Sequence, residues 1–430
     1  MFKEKEKKLR SKIIKLSDEY FDQFLSNKNE LENYIPVTQK KIFKKDISNL
    51  IESALDGWFT SGRFTNQFEK KIADYIGLKR SALLVNSGSS ANLIAMTSLC
   101  QENMMKELSL KPIKKNSEVI TAAAGFPTTV LPIIQNNLTP VFIDVNLDNL
   151  NITIEGLKKA LTPKTRAVMV AHTLGNPFRA DLVSEFCKEN NLYLIEDTCD
   201  AFGSQLLNGD KTKFLGTFGD FASLSFYPAH HITTGEGGAV LTNSPKLRRI
   251  AASVRDWGRH CWCDSGKDNT CKKRFDWNFE SLPCGYYHKY VYSSAGYNLK
   301  ATDFQAALGL SQIENIEDFV RIRRENWSSY NKIFKENKIL SKFFNTVTPT
   351  ENSNPSWFGF GLICKKNFRN KLVQYLEKNN IGTRLLFAGN IVKQPFFNKT
   401  KYKISGNLLN SDYLSERFFW LGVHPNIKIS

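Results

Sequence analysis

A chain of 430 residues with 41% hydrophobic and 12% aromatic residues can bury a large core and implies two or more structural domains. It holds no run of about 18 uncharged apolar residues, and its charged start lacks a short apolar leader core, so no membrane span is expected and a cytoplasmic protein is. Lysine and arginine number 59 against 42 acidic residues, a net charge of +17; with no helix-turn-helix, zinc-finger or RNA-binding signature beside it, the excess reads as a bias spread along the chain rather than as nucleic-acid contact.

In chain order, the stretch MFKEKEKKLRSKIIKL opens a region where Ile13, Ile14, Leu16, Tyr20, Phe21 and Phe24 share a helical stripe. Residues 1–40 are therefore expected to form a helical packing arm. From about 80 to 245, seven short apolar runs alternate with helical stretches: SALLVN, SEVITAAA, TPVFIDV, RAVMVAH, NLYLIED, FASLSFY and GAVLTN. This predicts an α/β fold around a largely parallel sheet. Residues 250–295, rich in Trp, Cys, Tyr and Gly, break the pattern and are expected as a cysteine-rich loop within a large domain, 41–315. A long helical pattern after Asn298 leads to a smaller C-terminal α/β domain, 316–430, with FGFGLIC among its strand-like runs.

Ligands of open α/β sheets gather at the carboxyl ends of strands, so the residues closing each run carry the chemistry. NSGSSAN, between a strand run and a helix, offers Gly88 and Ser89 as phosphate binders at a helix N-terminus, with a plain N-cap as the alternative. Ser225 adds a hydroxyl to the same anion. Asp197 closes a strongly apolar strand, where a carboxylate needs a cationic partner such as a protonated pyridine nitrogen; a helix-capping aspartate is the alternative. Phe126 either covers an aromatic ring or belongs to the core.

Cys100, Cys187 and Cys364 stand singly among apolar residues and read as core. Cys261, Cys263 and Cys271 are bunched as Cys-x-Cys-x₇-Cys, a poor zinc spacing that needs a fourth ligand from elsewhere. Arg384 and Tyr287, in the loop GYYHKY, are candidate contacts for a nucleotide diphosphate; an ion pair within its own domain competes for Arg384.

Residues 40–430 resemble the sugar aminotransferases of the fold-type I, pyridoxal-phosphate-dependent superfamily, the DegT/DnrJ/EryC1/StrS family. The resemblance rests on GWFTSGRFTNQFE, LVNSGSSAN, IEDTCDAFGS, GTFGD, SFYPAHHITTGEGGAVLTN and GYNLKATDFQAA, all in the family's order. It implies a large domain with a mostly parallel seven-stranded sheet and a smaller C-terminal α/β domain. It further implies that Gly88, Ser89 and Ser225 bind the cofactor phosphate, Phe126 stacks on its ring and Asp197 pairs with its pyridine nitrogen. Asn298 would reach the phosphate of the neighbouring subunit's cofactor, which implies a homodimer.

Where the family's aminotransferases carry the Schiff-base lysine, this chain has His230. Imidazole moves protons near neutral pH but cannot tether the cofactor as a primary amine does. The family's histidine branch consists of nucleotide-sugar 3-dehydratases working with pyridoxamine phosphate (PMP), in which the histidine takes a proton from the cofactor's C4′ carbon. His231 is then a supporting or structural residue, with a substrate contact as its further candidate role. Four thiolates suit a [2Fe–2S] cluster, and the family's iron–sulfur branch implies Cys199, Cys261, Cys263 and Cys271 as its ligands. The spacing from Cys199 to Cys261 is a few residues longer than in that branch, with the extra residues expected in LLNGDKTKF; Cys284 is the competing ligand. The branch implies a CDP-linked 4-keto-6-deoxyhexose as substrate and a flavin and iron–sulfur reductase as electron donor. Two alternatives stand beside it: a cluster-free dehydratase that regenerates its cofactor amine from glutamate, and a zinc-stabilised, non-catalytic protein that binds nucleic acid.

Overall fold

The apolar runs form the strands of one central sheet in a computed structural model, which describes residues 2–26, 33–80, 82–208, 211–263, 266–279, 281–427 and 429, without the side chain of Asn208. The strands are β1 (Leu83–Val85), β2 (Glu118–Ala122), β3 (Thr139–Ile143), β4 (Thr165–Ala171), β5 (Tyr193–Asp197), β6 (Gln205–Asn208), β7 (Lys211–Phe214), β8 (Phe221–Ser225) and β9 (Gly238–Leu241). The C-terminal part adds β10 (Phe344–Thr346), β11 (Ser353–Asn354), β12 (Gly359–Cys364), β13 (Lys403–Ile404) and β14 (Phe418–Gly422).

The central sheet runs β1-β9-β8-β5-β4-β2-β3-β13. Only β9 opposes the rest, pairing antiparallel with both β1 and β8. Helices Gly88–Leu99, Pro127–Gln135, Ile154–Ala160 and Ala180–Glu189 follow β1, β2, β3 and β4. Covered on both faces, the strands can be apolar throughout, as the fully buried β3, β8 and β9 are. The seven expected strands are present, and an eighth joins them. Two exposed residues of the C-terminal part, β13, pair parallel to β3, and Lys403 reaches Glu118 at 2.5 Å. A segment of two residues, Lys403 and Ile404, is too short to carry an apolar run, so the sequence pattern does not predict it.

The C-terminal part forms the antiparallel sheet β10-β12-β14 against the helix Ile316–Glu336. Trp327 of that helix stacks on Trp357 with centroids 4.3 Å apart. The seam between the two parts is heavily bonded. β11 pairs with β6, the Ser356 amide donates to Ser204 Oγ at 2.7 Å, and the Phe358 amide donates to the Leu174 carbonyl at 2.9 Å. β6 and β7 form the hairpin of LLNGDKTKF; its tip, 209–210, lies outside the described residues.

The N-terminal helix Phe2–Tyr20 buries none of its residues, contrary to the expected apolar stripe; Ile13, Leu16 and Tyr20 are exposed, and Phe21 just beyond is buried. Charge anchors it instead. Arg10 Nη1 meets Glu52 of the helix Lys44–Leu55 at 2.9 Å and Asp56, which caps its C-terminus, at 3.0 Å. Between 256 and 295 the described residues contain neither a strand nor an α-helix, only isolated bridges and one short 3-10 turn, His288–Tyr290.

Candidate active site

The carboxyl ends of β1, β4, β5 and β8 open into a cleft of about 470 Å³ whose far wall comes from the C-terminal part through Phe358, Arg384, Leu385, Phe387 and Trp420. Gly88, Ser89, Phe126, Asp197, Cys199, Ser225 and His230 line it, so the structure brings together most of the residues expected at the site. Among the described residues, none that lines the cleft is a lysine.

One end of the cleft suits an anion. Ser87 caps the helix Gly88–Leu99, its Oγ accepting from the Ser90 amide at 3.1 Å, and the first-turn amides and the nearby Ser225 hydroxyl are available to a phosphate. Gly88 has no room for a side chain: a Cβ there would lie 2.6 Å from Ser225 Cβ and 2.9 Å from Cys199 Sγ.

Asp197 caps no helix. Its Oδ2 accepts from Asn92 Nδ2 at 2.8 Å and Thr129 Oγ1 at 2.7 Å. Its Oδ1 accepts from Ser223 Oγ and the Cys199 amide, both at 3.2 Å. Among the described residues no cation touches it, so a buried carboxylate with four neutral donors still lacks a positive partner on the cleft side. Asn92 and Thr129 were not among the expected site residues. Their signal was position: Asn92 lies one helical turn after Gly88, and Thr129 three residues after Phe126. Phe126 is 50% exposed and meets Phe387 edge-on at 5.8 Å, so it is a cleft wall and not core.

His230 follows β8 in a tight turn, its amide donating to the Tyr227 carbonyl at 2.9 Å and its carbonyl accepting from Arg323 NH2 at 3.3 Å. The ring packs on Phe358 with centroids 5.1 Å apart. Burial pushes its pKa down to about 4, against the pull of the Asp197 carboxylate, and Arg323 adds to the lowering. Asp200, missed in the sequence, lies 3.7 Å from His230 Nδ1. Burial, then the Asp197 charge, push its carboxyl up to about 8.

His231 does not line the cleft; it is buried, with Nε2 3.0 Å from the Ser356 carbonyl oxygen, which makes it a seam residue rather than a substrate contact. Tyr287 is also elsewhere, its hydroxyl donating to Asp268 at 2.9 Å in the cysteine-rich loop. Arg384 is in the cleft, and among the described residues it has no carboxylate within ion-pair distance, which removes the competing ion-pair reading. Asn298 lies outside this chain's cleft, with Oδ1 accepting from Lys300 Nζ at 2.6 Å.

The cysteines divide differently from the expectation. The Cys263 amide lies 3.5 Å from Cys261 Sγ and the Cys271 amide 3.3 Å from Cys263 Sγ. Ligand atoms of Cys261, Cys271 and buried His288 lie within 4.8 Å of one another. His288 Nε2 in turn is 2.6 Å from His260 Nδ1, and His260 Nε2 is 3.3 Å from Glu107. Burial pushes the Cys261 thiol up, whereas hydrogen bonds from Thr270 and the Cys271 amide outweigh burial at Cys263 and bring it to about 7. Three thiols beside an imidazole are soft donors of the kind that hold an iron–sulfur cluster or zinc. Cys199 is not in this group. It sits in the cleft, its Sγ 3.7 Å from Ser223 Oγ, and burial followed by the Asp197 charge push its thiol well above the usual range. Cys284 is exposed and belongs to neither group.

Comparison with known proteins shows the family and the fold. The model of the DegT/DnrJ/EryC1/StrS aminotransferase family matches residues 40–429. The chain is 46% identical to the lipopolysaccharide biosynthesis protein RfbH of Salmonella typhimurium over 97% of this chain and 94% of that one. It is 51% identical to the dTDP-4-dehydro-2,6-dideoxy-D-glucose 3-dehydratase of Saccharopolyspora spinosa, over 88% of this chain and 80% of the other. Among solved structures, the E. coli GDP-4-keto-6-deoxy-D-mannose-3-dehydratase with bound hydrated PLP superposes with a TM-score of 0.79 at 28% identity, covering 93% of this chain and 97% of that one.

Proposed function

The chain belongs to the DegT/DnrJ/EryC1/StrS aminotransferase family, and from that premise we propose that it is a PMP-dependent 3-dehydratase of a nucleotide-linked 4-keto-6-deoxyhexose. In its full form the reading includes a [2Fe–2S] cluster, a separate flavin and iron–sulfur reductase, a homodimer and a role in 3,6-dideoxyhexose and lipopolysaccharide biosynthesis. The observation that carries it is that, among the described residues, no lysine lines a cleft otherwise equipped for the cofactor, and His230 stands in its place. Two relatives named as 3-dehydratases support it.

The residues fit the cofactor. Gly88, Ser89 and Ser225 would hold its phosphate, Asp197 would take the pyridine nitrogen as its missing cation, and Phe126 would cover the ring. When bound, the cofactor supplies an amine for the sugar ketone and a ring that withdraws electrons. The chain's own work is proton management: His230 accepts a proton at one ring nitrogen and returns it toward the departing C3 hydroxyl. Phe358, Phe387 and Trp420 keep water from that face, and Arg384 offers a fork to the diphosphate.

Cys261, Cys263 and Cys271 would hold the cluster, with Cys199 the fourth ligand implied by the resemblance. Cys199 lines the cleft and stands outside the group of Cys261, Cys271 and His288, so the second reading is a cluster-free dehydratase that renews its amine from glutamate. Iron and sulfide counts on anaerobically purified protein decide between them. About two of each per chain, with visible absorption that dithionite bleaches, support the cluster; iron-free protein that still dehydrates its substrate with glutamate supports the second reading. The resemblance implies CDP as the nucleotide, whereas the relative at 51% identity is named for a dTDP sugar. Turnover of matched CDP and dTDP substrates separates the two.

A further inference from the structure

We infer that Asp200 is the positioning residue of His230, fixing through Nδ1 which ring nitrogen is left to work in the cleft. The inference rests on the reading of His230 as the proton-transferring group and deepens it.

The turn after β5 places Asp200 three residues beyond Asp197, in the cleft wall. Its Oδ1 stands 3.7 Å from His230 Nδ1, and the two side chains are 16% and 15% exposed. Nδ1 is buried and has no hydrogen-bond partner among the described residues, a costly state for a ring nitrogen. The other charged or titratable groups facing the ring are Asp197, Arg323 and His231. None of them is hydrogen-bonded to Nδ1. Asp197 holds four donors within the protein, and its remaining charge is the one proposed for the pyridine nitrogen. Arg323 spends its NH2 on the carbonyl of His230 itself, and His231 turns its Nε2 to Ser356. Among the described residues, Asp200 is the one carboxylate within 4 Å of that nitrogen. Closing the gap to hydrogen-bond length takes about 0.8 Å, and such contacts often tighten only when a site is filled.

The consequence is a choice of tautomer. A neutral imidazole carries its proton on either nitrogen, and only the form protonated at Nδ1 leaves a lone pair on Nε2 to receive a proton. A carboxylate at Nδ1 selects that form, as in catalytic triads. A cation paired with Asp197 removes one of the two causes that raise the Asp200 pKa, so filling the cleft favours the carboxylate.

The test is ¹⁵N NMR of the full chain labelled at histidine, with PMP bound and also free at alkaline pH; His230→Asn assigns the signals. The expected result is Nδ1 protonated and Nε2 bare in the parent chain, mixed or inverted tautomers in Asp200→Asn, and recovery in Asp200→Glu. In parallel, exchange of the C4′ hydrogen of bound PMP with D₂O should slow by roughly 10²-fold in Asp200→Asn with cofactor affinity unchanged. A parent spectrum showing Nε2 protonated, or a tautomer indifferent to Asp200→Asn, overturns the inference. If the asparagine variant does not fold, the parent spectrum alone still decides. A tautomer that depends on Asp200 in a chain that never exchanges C4′ hydrogen sinks the base reading of His230 and leaves the positioning role standing.

Discussion

Gly88 and Ser225 meet across bare backbone: a Cβ on the glycine would lie 2.6 Å from that of the serine. The helix start and the end of β8 thus share one small space, in which the phosphate is proposed to bind. Gly88→Ala should displace Ser225 and weaken PMP binding severely while the fold persists. Spectroscopic titration of the variant with PMP measures this, and an affinity within roughly tenfold of the parent would count against the phosphate assignment.

Asp197→Asn keeps the shape of the side chain and removes its charge. Asn92 and Thr129 would still donate to its oxygen, so the fold should tolerate the change. The charge-assisted contact to the cofactor would be lost, and affinity should fall about 10–100-fold. Isothermal titration against PMP checks this; an unchanged affinity would mean that the carboxylate faces no cation.

His230→Lys introduces the amine that the cleft lacks. The variant should hold PLP covalently, visible as a mass increase after borohydride reduction, and should lose dehydration. A variant that dehydrates at the parent rate would show that the proton is moved by another group.

Cys263→Ser and Cys271→Ser should abolish bound iron and visible absorption without affecting PMP affinity, because neither residue lines the cleft. Cys284→Ser should change nothing. Metal analysis of Cys199→Ser is the informative case: full iron content in that variant would exclude Cys199 from the ligand set.

Stability should depend on pH through the buried histidines. Burial lowers His230 and His424 to about 4 and holds His231 well below its usual range. In the unfolded chain each titrates near 6.5, so between those values the unfolded state binds more protons. Their contribution is complete above about pH 6.5 and is lost as pH falls toward 4. Asp200 has the opposite sign. Its carboxyl is raised to about 8, so its contribution is present in acid and is lost as pH rises toward 8. Melting temperatures across this range should peak near neutrality with the steeper loss on the acid side; a flat acid limb would contradict the burial of the three rings.

Residues close to strand ends were legible because local pattern determines them. An apolar run followed by NSGSS or by ED places the side chain at the mouth of a sheet wherever the strand goes. His230 was legible for the same reason, as a substitution in a turn of fixed length. What the pattern could not supply depends on distant pairing. Asp200 gains its meaning only because the turns after β5 and β8 lie side by side. β13 is two exposed residues, Lys403 and Ile404, that pair with β3 from the far end of the chain. His288 joins Cys261 and Cys271 across a segment without regular structure. The N-terminal stripe had the right period for burial, yet Arg10 docks the helix by charge and leaves Leu16 in water.

The seam from Ser353 to Phe358 has a mechanical consequence. It is bonded on one side to Leu206, Ser204 and Leu174, and on the other the carbonyls of Ser356 and Trp357 take His231 and Arg323. A hinge there would have to break all of these bonds at once, so the seam resists opening between the two parts. Entry to the cleft falls to single side chains at its mouth, where half-exposed Phe126 and Tyr227 can turn aside without moving the frame that holds the turn of His230.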